Sequence, residues 1–171
     1  MQDVLGTAAV VQRCQIYKAR NLQALLPKAR QAHVRATLRR AYRAASADAA
    51  RRQLKALGSW LESNGHVDAA TSLREGLEET LTVLTLGLPT RLQRFFATTN
   101  CIENLIGTVR HVTRNVKRWR DGEMVLRWIA TSLNQASRGF RAVRGYRDMK
   151  RLVAALAQAT SPASSDKLKI A

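Results

Sequence analysis

Apolar side chains recur every three or four residues along most of the chain, the spacing that lines one face of an α-helix. Ile16, Ala19, Leu22, Leu25 and Leu26 open the pattern, and Pro27 punctuates it. Pro27 suits the first turn of a second helix over about residues 28–45. Ser46 and Asp48 offer capping side chains to a third helix with a stripe of Leu54, Leu57, Trp60 and Leu61, and Asn64-Gly65 supplies a left-handed stop. A fourth helix is expected over residues 66–86, with Leu73, Leu77, Leu81 and Leu84 on one face and Glu75, Glu78 and Glu79 exposed. Gly87 and Pro89 end it.

A short helix near residues 91–97 follows, and Thr98-Thr99-Asn100 then offers caps to a helix whose apolar face is Ile102, Leu105 and Val109. Asp121 caps a further helix over residues 123–135, and residues 147–158 complete the set. Residues 8–12, AAVVQ, are the one strand candidate, although so short a run also suits the start of a helix. From residue 161 the composition is that of a disordered tail. The fold class is therefore mostly α.

At 171 residues with 46% apolar content the chain is long enough to bury a core. Charge changes the picture more. A net +17 attracts polyanions, so nucleic acid is the first partner to consider. The excess is segmental: residues 110–151 hold twelve Lys or Arg against three acids, whereas residues 66–109 hold three against five. The first 60 or so residues share the basic excess. Cys14 and Cys101 stand far apart with no metal-finger spacing, which suggests neither a disulfide framework nor a structural zinc site and fits a reducing cytoplasm. No run approaches the length needed to cross a bilayer. His33, His66 and His111 are isolated and carry no ligand spacing.

The most informative segment is TTNCIENLIGTVRHVTRNVKRWRDGE, residues 98–123. Its Asn100, Ile102, Glu103, Asn104, Leu105, Arg110, Lys117, Arg118, Trp119, Asp121 and Gly122 closely resemble the region around the last catalytic acid of Mutator-type bacterial insertion-sequence transposases. VQRCQIYKARN, residues 11–21, is similar to that family's strand-to-helix segment after the second acid. SLREGLEETLTVLTLGLP, residues 72–89, is similar to the end of its helical insertion. Tyr17 stands where the family usually has the His of Cys-x-x-His, and Ile106 where it usually has Asn.

The resemblance implies a ribonuclease-H-like catalytic core, with three carboxylates binding Mg²⁺ or Mn²⁺ and a helical insertion between the second and third acids. Glu103 matches the third. It also stands three residues after Asn100, as the glutamate of a capping box would, and the two roles are compatible. On this reading residues 1–14 are a remnant of the catalytic sheet, 15–97 the helical insertion, 98–160 the carboxyl-terminal core helices and 161–171 a tail. Asp3 is the one acid ahead of Val11 and lies too near it to match the second acid. The chain is thus expected to be a carboxyl-terminal fragment that binds no catalytic metal and cuts no DNA alone. The alternative is a non-enzymatic DNA-binding or regulatory module of transposase origin.

Arg110, Arg114, Lys117, Arg118 and Arg120 advance by threes and fours, so most are expected on one face of the Glu103 helix and its continuation, holding phosphates. Trp119 suits base stacking, or packing between helices. Arg138, Arg141, Arg144, Arg147, Lys150 and Arg151 form a second basic patch or a solvated face. Expected partners are insertion-element ends and target DNA, with a second copy or a full-length transposase subunit as a protein partner. An unrelated helical RNA-binding protein would leave the pattern of residues 100–122 without an explanation.

Overall fold

The computed structural model describes residues 9–160, so Asp3 and the expected tail lie outside the described residues. The described chain is mostly helical. In order, the helices are α1 (Gln15–Ala24), α2 (Lys28–Ala41), α3 (Ala47–Ser63), α4 (Val67–Arg74), α5 (Leu77–Thr85), α6 (Thr90–Phe96), α7 (Asn100–Thr113), α8 (Gly122–Ser137) and α9 (Met149–Thr160), the last preceded by a 3₁₀ turn at Tyr146–Asp148. The described residues form two compact units, one from residues 9–98 with 144–160 and the other from residues 99–143.

In the first unit α3 is the hub, packing on α2, α4 and α5. Its Ala50, Leu54, Leu57 and Leu61 recur at helical spacing and are buried against Val34 and Leu38 of α2, Leu73 of α4 and Leu81 of α5. Each fully buried leucine contributes roughly 1.5–3 kcal/mol relative to exposure. Ser46 caps α3 by accepting from the Ala49 N–H at 3.2 Å. Gly65, at φ +78°, lets the chain reverse: its N–H reaches the Glu62 carbonyl and the His66 N–H the Leu61 carbonyl, each at 2.9 Å.

Three expectations are corrected. The helix expected over residues 66–86 is two helices, broken where Gly76 adopts φ +63°, a conformation an L side chain adopts only at a cost. Lys18 of α1 occupies the break. It is 5% exposed, and its ammonium donates to the carbonyls of Ser72 at 2.5 Å and Glu75 at 2.6 Å, which the interruption leaves without helical partners. The second helix stops at Ala41 rather than near residue 45, because Tyr42 to Ala44 turn the chain toward the Ser46 cap.

The strand expected over residues 8–12 does not form among the described residues. Residues 9–14 run non-helically beside α5 instead, and their polar groups pair there. Thr82 Oγ1 donates to the Val11 carbonyl at 2.6 Å, the Val83 N–H donates to Gln12 Oε1 at 2.9 Å, and the Arg13 N–H donates to the Glu79 carbonyl at 2.9 Å. Groups satisfied by a helix need no neighbouring strand.

The second unit is built differently. Helices α7 and α8 pack on each other, yet α7 buries no residue and α8 buries only Ser132. Ile102, Ile106, Leu126 and Phe140 stay exposed. Its helices are held more by local bonds, including the Asp121 cap that accepts from the Met124 N–H at 2.6 Å.

Candidate functional site

Glu103 sits in the first turn of α7, where the partial positive charge of the helix amino terminus favours a carboxylate. Its side chain is exposed, and Thr99 Oγ1 donates to Glu103 Oε1 at 2.5 Å. Backbone and side chain reinforce each other, because the Glu103 N–H also donates to the Thr99 carbonyl at 2.9 Å. The capping box expected between Asn100 and Glu103 is therefore replaced. Asn100 is already helical, Thr99 is the capping position, and the glutamate accepts from the Thr99 hydroxyl. Thr99 was not singled out by sequence as Glu103's partner, although a threonine four residues before a helical glutamate is the available signal.

The basic run does not share one helical face. Arg110 lies on α7, Arg114 is its carboxyl-terminal cap, and Lys117, Arg118 and Arg120 lie in the non-helical connector to α8. The helix stops at Thr113, where Val109, Val112 and Thr113 crowd the last turns with β-branched side chains and the Val116 N–H turns back to the Thr113 carbonyl at 2.9 Å. All five cations are nevertheless exposed, and none forms an ion pair among the described residues. Trp119 is 44% exposed in the same connector. A loop of unpaired guanidinium and ammonium groups around an exposed indole is suited to phosphates and bases.

The second basic patch is divided: Arg138 and Arg141 belong to the α7–α8 unit, while Arg144, Arg147, Lys150 and Arg151 belong to the other. All six are exposed. Tyr17 is exposed on α1, and Cys14 is the residue just before that helix.

Among the described residues no group of three or more His, Cys, Asp or Glu is placed to hold a metal ion. A pair of divalent cations needs oxygen ligands from several carboxylates, so Glu103 and its described neighbours do not by themselves complete such a centre. Among the described residues no helix is long and apolar enough to cross a membrane.

The family described as "Transposase, Mutator family" matches residues 2–142, a span that takes in Glu103 and the whole basic connector. No curated protein and no solved structure matches the chain.

Proposed function

Because the chain belongs to the Mutator family of transposases, we propose that Glu103 is the third carboxylate of a metal-dependent phosphoryl-transfer centre and that Arg110, Arg114, Lys117, Arg118 and Arg120 hold the DNA being cut. The observation that carries this reading is the position of Glu103: exposed, at a helix amino terminus, oriented by Thr99, and followed by five unpaired cations, Arg110 and Arg114 at the end of the same helix and Lys117, Arg118 and Arg120 in the connector beyond it. An enzyme that cuts a phosphodiester must fix the flanking backbone near the reacting phosphorus, and arginine forks do so without reading sequence.

Glu103 supplies one ligand carboxylate. Mg²⁺ or Mn²⁺ is the cation proposed for the complete centre, in a ribonuclease-H-like core where two further carboxylates stand beside Glu103. Helices α1–α6 are, on this reading, the insertion that precedes the third acid. The 171-residue polypeptide tested by itself is expected to bind DNA and not to cut it. Its action is placed in the bacterial cytoplasm, on insertion-element ends and target DNA, with a further transposase subunit as the protein partner.

The test supplies the amino-terminal region of a close relative and exchanges Glu103 for Gln. Loss of cleavage with retained DNA binding is the expected result. Retained binding without cleavage in every complemented form would favour the non-enzymatic DNA-binding or regulatory role instead.

A further inference from the structure

A groove of about 820 Å³ lies within the first unit, between α1, α2 and α6. Its walls carry Arg20 of α1, Arg35 and Arg39 of α2, Arg43 just past the end of α2, and Arg94 of α6, over a floor that includes Leu38. No acidic residue lines it. All five guanidinia are exposed, and none forms an ion pair among the described residues. Five acids of the same unit are engaged elsewhere: Asp48, Glu62, Glu75, Glu78 and Glu79 pair with Arg13, Arg51 and Arg74. The positive charge of the groove is thereby left uncompensated.

Stability does not explain this arrangement. Arg35 and Arg39 stand four residues apart on α2, which places like charges beside one another along a helix and costs stability, and Arg43 adds a third just past its end. A polyanion removes that cost. On α2 that interval separates Arg35 from Arg39 by about 6 Å along the helix axis, so the two guanidinia can meet neighbouring groups of a repeating anionic chain, and Arg43 extends the row just past the helix end. Arg94 and Arg20 close on it from two other helices, and planar forks give the bidentate geometry that phosphate oxygens accept.

We propose that the α1–α2–α6 groove is a second DNA-binding site, which grips the phosphate backbone through Arg20, Arg35, Arg39, Arg43 and Arg94. The choice of DNA rests on the family reading above; the anionic character of the ligand rests on the groove alone. Such a site gives the helical insertion its own hold on a DNA backbone.

The experiment measures affinity of the full chain for a mixed-sequence DNA duplex against salt concentration. Wild type is compared with R35Q/R39Q/R43Q and with R40Q/R52Q/K55Q, which removes the same charge from exposed positions outside the groove. Each phosphate contact contributes about 0.9 to the slope of log K against log salt, so the groove variant is expected to lower the slope by about 2–3 and low-salt affinity at least tenfold. The matched variant should change the slope by less than about 1. R20Q/R94Q, on other helices, gives an independent reading and should lower the slope by about 2. Circular dichroism of each variant checks folding.

Equal effects of the two triple variants would mean bulk charge only and overturn the site. So would stronger binding of polyglutamate than of DNA, or an unchanged slope in both groove variants. Loss confined to variants of Arg110, Arg114 and Arg118 overturns the groove while leaving the reading of the α7 connector intact; loss confined to the groove variants supports the groove and removes the connector from the DNA interface.

Discussion

Thr99 and Glu103 form a closed pair at the start of α7: the threonine hydroxyl donates to the glutamate at 2.5 Å while its carbonyl accepts the glutamate N–H at 2.9 Å. The hydroxyl restricts the carboxylate to one orientation and leaves Oε2 open. A single hydrogen bond contributes about 0.5–1.5 kcal/mol, or up to roughly tenfold in rate where orientation limits the reaction. In an amino-terminally complemented, cleavage-competent protein, Thr99→Val is expected to slow strand cleavage about five- to tenfold, while Thr99→Ser stays near wild type. Equal rates in all three proteins would show that the hydroxyl does not position Glu103.

Lys18 joins α1 to the broken α4–α5 connection through the Ser72 and Glu75 carbonyls. Lys18→Met preserves length but removes the donor, and is expected to destabilise the first unit by about 1–3 kcal/mol in denaturant unfolding. Burial, the largest influence, lowers the Lys18 pKa below its ordinary 10.5 despite the opposing pull of Glu75. Between the lowered value and 10.5 the folded chain binds fewer protons than the unfolded chain, so this group's contribution to stability rises with pH. The melting-temperature gap between wild type and Lys18→Met should therefore widen as pH rises toward that range. A gap that narrows would contradict the assignment.

The two units should differ in their opening. Leu54, Leu57 and Leu61 of α3 are buried, whereas α7 buries nothing. Native-state hydrogen exchange is expected to show α7 and α8 amides exchanging at least tenfold faster than the central amides of α3, because opening them exposes little apolar surface. Uniform protection across both units would show that α7 and α8 are covered in solution.

What could be read in the sequence was what local spacing controls. The α3 stripe, the Ser46 and Asp121 caps and the Gly65 reversal each follow from residues within a few positions of one another. The break at Gly76 was hidden because Leu73, Leu77 and Leu81 keep helical spacing across it, and because the side chain that stabilises the break, Lys18, lies 54 residues before Ser72. An unbroken leucine pattern records which face is buried, not whether the backbone is continuous. Residues 110–120 misled in the same way: spacing by threes and fours suggested one face, but spacing does not create a helix through Asn115 and the connector. The groove arginines were visible only as bulk charge, since three separated helices bring them together.

The central claim is that Glu103 is a catalytic carboxylate of a DNA-cutting centre, and its most direct measurement is strand cleavage with Mg²⁺ or Mn²⁺ by the complemented protein and its Glu103→Gln form. The amide preserves size and first-turn geometry while removing the negative charge, and it remains able to accept from Thr99. The account predicts that cleavage falls at least a hundredfold, about 2.7 kcal/mol in activation free energy, while DNA affinity and helix content stay within twofold of the parent. Cleavage undiminished by Glu103→Gln would contradict it.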